Sequence, residues 1–545
     1  MRRLLAAAAA GITIGALAVA APAQGVTATT TTATMATGYV PPAPSWGDCV
    51  DQLLKDFGAE CAMVSVPLDY DRPKGEKIQL AVSRMRHTSP ASEYQGVMLV
   101  NPGGPGGSGL IYSVLQRIVP DGAGLTYDWI GFDPRGVGAS RPSLTCDGSY
   151  FEDTPPSYVP RTKSIEQAWL TKTENYAEDC EAAGGRLLDH LKTTDTIADM
   201  ESIRAALGAK KINFYGFSYG TYLGEVYATL HPDRVRRMVF DGVINPDRVW
   251  WHANLDQDFA FEKTIGIYFD WIAKHDDVYG LGTSGDDVED AYYEVLKALT
   301  SSPQAGGQFG ATEWNDVFVV AGYGVFAWHE IATAFAAAVN DGNYAPVKAL
   351  ADAFQGPSGP GADNGYAMYL AVICTDAPWP QDWDTWREVN WRIHEKAPFL
   401  TWGNAWFNAP CRTWAGDVGE PVEVDGSDAP PILLVSETHD AATPFSGALA
   451  TRRLFPESRL IEGVGGTTHS ASLSGVDCTD GAIAAYLATG ELPDRRSGNR
   501  ADLRCDPLPP PDPSSASAAS GMSRSGAVLS PHQLALRQHL LGMTR

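Results

Sequence analysis

Lys211-Ile212-Asn213-Phe214-Tyr215-Gly216-Phe217-Ser218-Tyr219-Gly220-Thr221-Tyr222-Leu223-Gly224 is the stretch on which the reading of this chain turns. Its first five residues have the composition of a buried strand, and Thr221 to Leu230 continues as a helical run. Between them lies a Gly-x-Ser-x-Gly turn. A serine carried there is pushed into a strained backbone conformation and projects from the sheet, which requires flanking residues without bulk; Gly216 and Gly220 meet that need. The pattern alone is weak, but strand, turn and helix together mark Ser218 as a nucleophile.

A serine hydroxyl attacks only if a base takes its proton and an acid holds that base in one tautomer. On a sheet with such an elbow, the acid and then the base lie on loops after later strands. Ile432–Val435 reads as a strand, and Asp440 follows shortly after it; Arg459–Ile461 reads as another, running through a Gly-rich loop into His469. Asp440 and His469 are the expected acid and base, with Glu437 and His439 as rivals. Donors for an oxyanion are expected from the backbone of Tyr219, next to the nucleophile, and of Gly104 in Asn101-Pro102-Gly103-Gly104-Pro105-Gly106-Gly107-Ser108-Gly109. Pro105 has no N–H to give. The loop lacks the lysine and spacing of a phosphate cradle. His87, His190, His231, His252 and His275 are read as packing or surface residues.

Further buried strands are expected at Val97–Val100, Trp129–Phe132 and Met238–Phe240. A helix over Thr196–Leu207 is stopped by Gly208. Short apolar runs alternating with helical patterns indicate an α/β fold, a mostly parallel sheet with helices on both faces. This body divides into 45–244 and 415–506. The segment 245–414 breaks the rhythm: it is helical in pattern and holds 12 of the 15 tryptophans, which reads as an inserted helical cap.

At the N-terminus, Met1-Arg2-Arg3, an apolar stretch and Ala21-Pro22-Ala23 read as a signal peptide over 1–23, so the mature chain is expected to be secreted and extracellular. Residues 24–44, rich in Thr, Ala and Pro, read as a leader, pro-segment or linker, and 507–545 as a flexible tail. Eight cysteines suit an oxidising compartment. Nearest pairing gives Cys49–Cys61, Cys146–Cys180, Cys374–Cys411 and Cys478–Cys505. No zinc-type spacing occurs, and neither metal nor cofactor is expected. A net charge of -24 argues against nucleic acid as a partner, and after signal cleavage no membrane partner is expected.

The chain resembles the secreted bacterial tripeptidyl aminopeptidases, prolyl-aminopeptidase-like members of the α/β-hydrolases. The landmarks are Val66-Pro67-Leu68-Asp69-Tyr70, the loop 101–109, Gly131-Phe132-Asp133-Pro134-Arg135-Gly136-Val137-Gly138, the elbow through Gly224, Cys374-Thr375-Asp376-Ala377 and Asp440-Ala441-Ala442-Thr443-Pro444. The resemblance implies an α/β-hydrolase fold with Ser218, Asp440 and His469 as triad. It also implies release of short peptides, tripeptides above all, from the free N-terminus of peptide substrates. One departure is Thr468 before His469, where many relatives have Gly. Recognition of a free amine calls for carboxylates in the cap, for which Asp376 and Glu330 are the candidates. A carboxylesterase or lipase-type hydrolase with the same triad is the alternative, and a non-catalytic binding protein on a hydrolase fold is the reading of another class.

Overall fold

The computed structural model describes residues 39–152, 155–355 and 358–514. The expected signal peptide lies outside the described residues, as do most of the leader and of the tail.

Ten strands form one sheet: β1 (Gly47–Asp48), β2 (Glu60–Pro67), β3 (Lys77–Met85), β4 (Val97–Asn101), β5 (Asp128–Phe132), β6 (Ile212–Phe217), β7 (Val235–Asp241), β8 (Ile432–Glu437), β9 (Arg459–Gly463) and β10 (Leu503–Cys505). Their spatial order is β1-β2-β3-β5-β4-β6-β7-β8-β9-β10. From β5 to β10 every pairing is parallel, while β1, β2 and β3 are added antiparallel. All six strands expected from the sequence are present.

Apolar residues alternate between the two faces of these strands. Leu99, Phe214, Phe240 and Leu434 join one core, while Met98, Val100, Tyr215, Val239 and Leu433 join the other. Helices Lys163–Gly184, Thr193–Ala206, Tyr219–Leu230 and Phe445–Leu454 contribute to the first core, and Asp477–Thr489 to the second. That two-sided burial explains the continuous apolar runs of the central strands.

Two landmark motifs act as clamps. Arg135, fully buried, forms an ion pair with Asp199 at 2.7 Å and donates to the carbonyls of Pro67 and Leu68, while Tyr70 donates to Asp199 at 2.8 Å. The ends of β2 and β5 are thereby fixed to the helix Thr193–Ala206. Asp133 accepts from Ser108 Oγ (2.6 Å) and from the Gly109 and Ala139 N–H groups (3.0 and 2.8 Å), which fastens the loop after β5 to the glycine-rich loop after β4.

Between β7 and β8 the chain leaves the sheet and is helical, from Trp251–Lys274 to Thr401–Asn408. Most of Phe261 to Leu350 closes on a core of its own. The helix Asn364–Asp376 and the tryptophans from Trp379 to Trp414 instead join the core on one sheet face. All four expected cysteine pairs are bonded. The folded body also reaches past the expected boundary at 507. Leu508 is buried, and its N–H donates to Glu437 at 2.9 Å. Truncation after Asp506 should therefore lower stability by about 2 kcal/mol, whereas truncation after Ser514 should leave the thermal midpoint unchanged.

Candidate active site

The strand order places the site. Chain connections run to opposite sides of β4, toward β5 and toward β6, so the loops after β4 and β6 part at their carboxyl ends and leave a crevice there. Ser218 stands in that crevice, half-buried, with φ 54° and ψ -126°. Its N–H donates to the Asp241 carbonyl at 2.9 Å, and its own carbonyl accepts from the Thr221 N–H and Oγ1 at 2.8 and 2.7 Å. The flanking glycines are required sterically. A Cβ on Gly216 would lie 2.4 Å from the Gly220 carbonyl oxygen, and one on Gly220 would lie 2.6 Å from that of Asn101.

The helix Tyr219–Leu230 begins one residue after the serine, so the Tyr219 N–H belongs to its first turn, whose donors have no acceptor within the helix. The loop after β4 arrives at the same place. A Cβ on Gly103 would lie 2.8 Å from Ser218 Cβ and 3.0 Å from Tyr219 N. Gly104, the other expected donor, is the next residue.

His469 is brought in by the loop after β9. Its Nδ1 lies 2.8 and 3.0 Å from the two Asp440 oxygens, and both side chains are buried. Thr443 braces this pair: its N–H and Oγ1 donate to the two Asp440 oxygens at 2.9 Å each, and its Oγ1 is 3.2 Å from His469 Nδ1. The ring also packs beside Gly242, where a Cβ would come within 2.8 Å of it. Gly242 follows Asp241, the residue whose carbonyl holds Ser218. The His469 N–H donates to the Tyr323 carbonyl at 2.8 Å, and the Tyr323 ring stands edge-on to the imidazole at 5.9 Å. Thr468, where many relatives have Gly, packs on Gly324 beyond that tyrosine.

The rival carboxylate is bound elsewhere. Glu437 accepts from the Thr468 and Leu508 N–H groups, so it braces the histidine loop from behind. Burial pushes its carboxyl up to about 8. His439 donates its N–H to the Gly466 carbonyl at 2.7 Å. For His469, burial works to lower the pKa, but the charge of Asp440, the hydrogen bond to it and the charge of Asp241 outweigh burial and raise it.

The two cap carboxylates differ in their surroundings. Asp376 is buried behind Tyr219 and accepts from Thr193 N (2.7 Å), Thr193 Oγ1 (2.6 Å) and Trp250 Nε1 (3.2 Å), while Thr193 Oγ1 also meets the Tyr219 hydroxyl at 2.7 Å. Burial pushes it up to about 6. It braces the nucleophile helix and has both oxygens engaged. Glu330 is exposed on the first turn of the helix Trp328–Asp341. Thr443 and Gly103 take part in the site without being marked by the sequence reading; the Asp-x-x-Thr spacing, which places a hydroxyl back on the carboxylate, is the signal for Thr443. Among the described residues no group of three or more His, Cys, Asp or Glu is placed to hold a metal ion.

Residues 96–278 match the model of the α/β-hydrolase fold, and residues 397–501 match that of TAP-like proteins. The tripeptidyl aminopeptidase of Streptomyces lividans is 40% identical over 86% of this chain and 87% of its own length. The chain belongs to the tripeptidyl aminopeptidase family of the α/β-hydrolases. It is a serine hydrolase. More distant relatives are the serine protease Hip1 of Mycobacterium tuberculosis, 30% identical over 80% of this chain and 86% of its own, and a carboxylesterase B of the same species, 31% identical over 86% and 91%.

If His469 is the base, as proposed below, it must be neutral to accept a proton, and because its pKa is raised activity should fall on the acid side with a midpoint above the ordinary 6.5. A pH profile of kcat/KM measures this midpoint. Asp440→Asn, which loses the tautomer-fixing acceptor, should lower kcat by about 10⁴-fold.

Proposed function

We propose that this protein is a secreted serine exopeptidase that releases short peptides, most readily tripeptides, from the free N-terminus of peptide substrates. The observation that carries the reading is the buried Asp440–His469 pair beside the Ser218 elbow, in a chain 40% identical to a tripeptidyl aminopeptidase.

His469 Nε2 takes the Ser218 proton as Oγ attacks the scissile carbonyl. Asp440 holds Nδ1–H and stabilises the imidazolium that forms. The N–H groups of Gly104 and Tyr219 receive the oxyanion, a contribution of about 3 kcal/mol each. His469 then protonates the leaving amine, and the acyl-enzyme on Ser218 is hydrolysed by a water that the same imidazole activates. The segment 245–414 serves as the cap that selects the substrate, and 45–244 with 415–506, extended to the buried Leu508, as the hydrolase body. Secretion is supported by the signal-like N-terminus and by four disulfides, a bond type that persists in oxidising compartments.

The carboxylesterase B relative favours a second reading, an esterase with the same triad. The two are separated by assaying a tripeptide 4-nitroanilide with a free or an acetylated N-terminus beside a simple 4-nitrophenyl ester. Cleavage of the free-amine anilide, abolished by Ser218→Ala, is the expected result. Turnover of the ester alone would refute the peptidase reading.

A further inference from the structure

Glu437 ends β8, three residues before Asp440, and is buried with 4% of its surface exposed. Its backbone and its side chain hold different loops. The Glu437 carbonyl accepts from the Asp440 N–H at 3.3 Å, in the loop that carries the acid. Its Oε2 accepts from the Thr468 N–H at 2.5 Å, next to His469 in the loop that carries the base. One residue thus ties both members of the Asp440–His469 pair to a common point.

The other carboxyl oxygen is taken by a segment from the far end of the described chain, where Oε1 accepts from the Leu508 N–H at 2.9 Å. Residues 503–508 reach it as a strap. β10 pairs parallel with β9, the strand that leads into the histidine loop, and the Cys505 carbonyl accepts from the Val464 N–H at 3.0 Å. Cys505 is also bonded to Cys478 on the helix Asp477–Thr489. A Cβ on Gly466 would overlap both Glu437 Oε2 and Pro507 Cβ, so loop, carboxyl and strap meet there without a gap. The Leu508 side chain joins the helical core that also takes in Ala441 and Ala442, the two residues after Asp440. The strap therefore touches the acid loop through a side chain and the base loop through Glu437. Burial raises the Glu437 carboxyl to about 8, so below that pH it adds little charge beside Asp440. What it supplies there is placement, and a shift of about 1 Å in a reacting group can cost roughly 100-fold in rate.

We propose that Glu437 is a positioning residue for the Asp440–His469 pair and that the C-terminal strap through Leu508 completes it, so that full activity needs residues beyond the last strand of the sheet. This inference rests on the triad of the reading above, and it holds for peptide and ester substrates alike. Without the Glu437 oxygens the buried Thr468 N–H has no acceptor and the histidine loop moves to find one, which loosens the contact between His469 and Asp440.

The test measures kcat, KM and the pH profile of kcat/KM for the full protein, Glu437→Met, Glu437→Gln and chains truncated after Asp506 or after Ser514. Each is shown to be folded by a thermal melt and assayed well below its midpoint. The substrate is Ala-Ala-Ala-4-nitroanilide, or 4-nitrophenyl acetate should only the ester turn over. Met fills the volume of Glu437 but offers no oxygen to either N–H, and Gln returns one. In Glu437→Met kcat should fall by about 10- to 100-fold with KM nearly unchanged, the range for a buried N–H left without its acceptor. Glu437→Gln should recover part of that loss. The acid-side midpoint, raised by the contact with Asp440, should move down toward 6.5 in Glu437→Met as that contact loosens. Truncation after Asp506 should shift kcat and midpoint in the same directions, and truncation after Ser514 neither. In folded Glu437→Met, an unchanged kcat, or a lower kcat with an unmoved midpoint, overturns the positioning role. Full activity after truncation at Asp506 overturns the part given to the strap. Activity that survives His469→Ala overturns the triad reading instead. Should Glu437→Met not fold, Glu437→Gln is read by the same two quantities.

Discussion

Ser218 occupies a backbone conformation, φ 54° and ψ -126°, that costs on the order of 1–3 kcal/mol for a residue with a side chain. Much of the surrounding structure serves to hold it there. The Asp241 carbonyl takes its N–H, Thr221 takes its carbonyl, and three chain segments approach so closely that Gly103, Gly216 and Gly220 have no room for a Cβ. The same close approach that imposes the strain brings the Gly103–Gly104 loop to the first N–H of the helix. The proposed nucleophile and the proposed oxyanion donors are therefore consequences of one packing arrangement.

That arrangement depends in turn on the parallel sheet. The loops after β4, β6, β7, β8 and β9 all emerge at one edge, and each delivers one component: the glycine-rich loop, Ser218, Gly242, Asp440 and His469. Contacts between those loops, more than contacts within them, set the register. Gly242 receives the imidazole ring, Glu437 braces the Thr468 N–H, and Thr443 fixes the Asp440 carboxylate. The helical segment adds support from above, where Tyr323 holds the His469 N–H.

The six central strands were legible because each carries a short run of apolar residues buried in the cores on the two sheet faces. β2 and β3 were missed for the opposite reason. In Glu60–Pro67 and Lys77–Met85 polar residues such as Ser65 and Gln79 remain partly exposed, so the apolar signal is interrupted. β1 and β10, two and three residues long, are too short to show a period. At the site, Ser218, Asp440 and His469 could be singled out because each follows a recognisable strand, and the structure brings Asp440 and His469 into contact. The cap carboxylates could not be sorted that way. Asp376 and Glu330 are candidates on charge, whereas what engages both oxygens of Asp376 is hydrogen bonding from Thr193 and Trp250, far from it in sequence.

The electrostatics of the site follow from the same crowding. Burial alone would leave His469 a weaker base than a free imidazole, yet Asp440 at 2.8 Å, with Asp241 behind it, turns the balance toward the protonated ring. In the proposed mechanism the imidazolium that forms during attack is thus stabilised by charges already in place, and they need little reorganisation as the proton moves. Asp241 has a part in both halves of the step: its carbonyl positions Ser218, while its carboxylate, held by the Ser472 N–H at 2.8 Å, contributes to the field at His469. A single residue at the end of β7 therefore couples the backbone strain of the nucleophile to the basicity of its partner. This explains why the elbow and the histidine loop, more than two hundred residues apart, must pack as one unit.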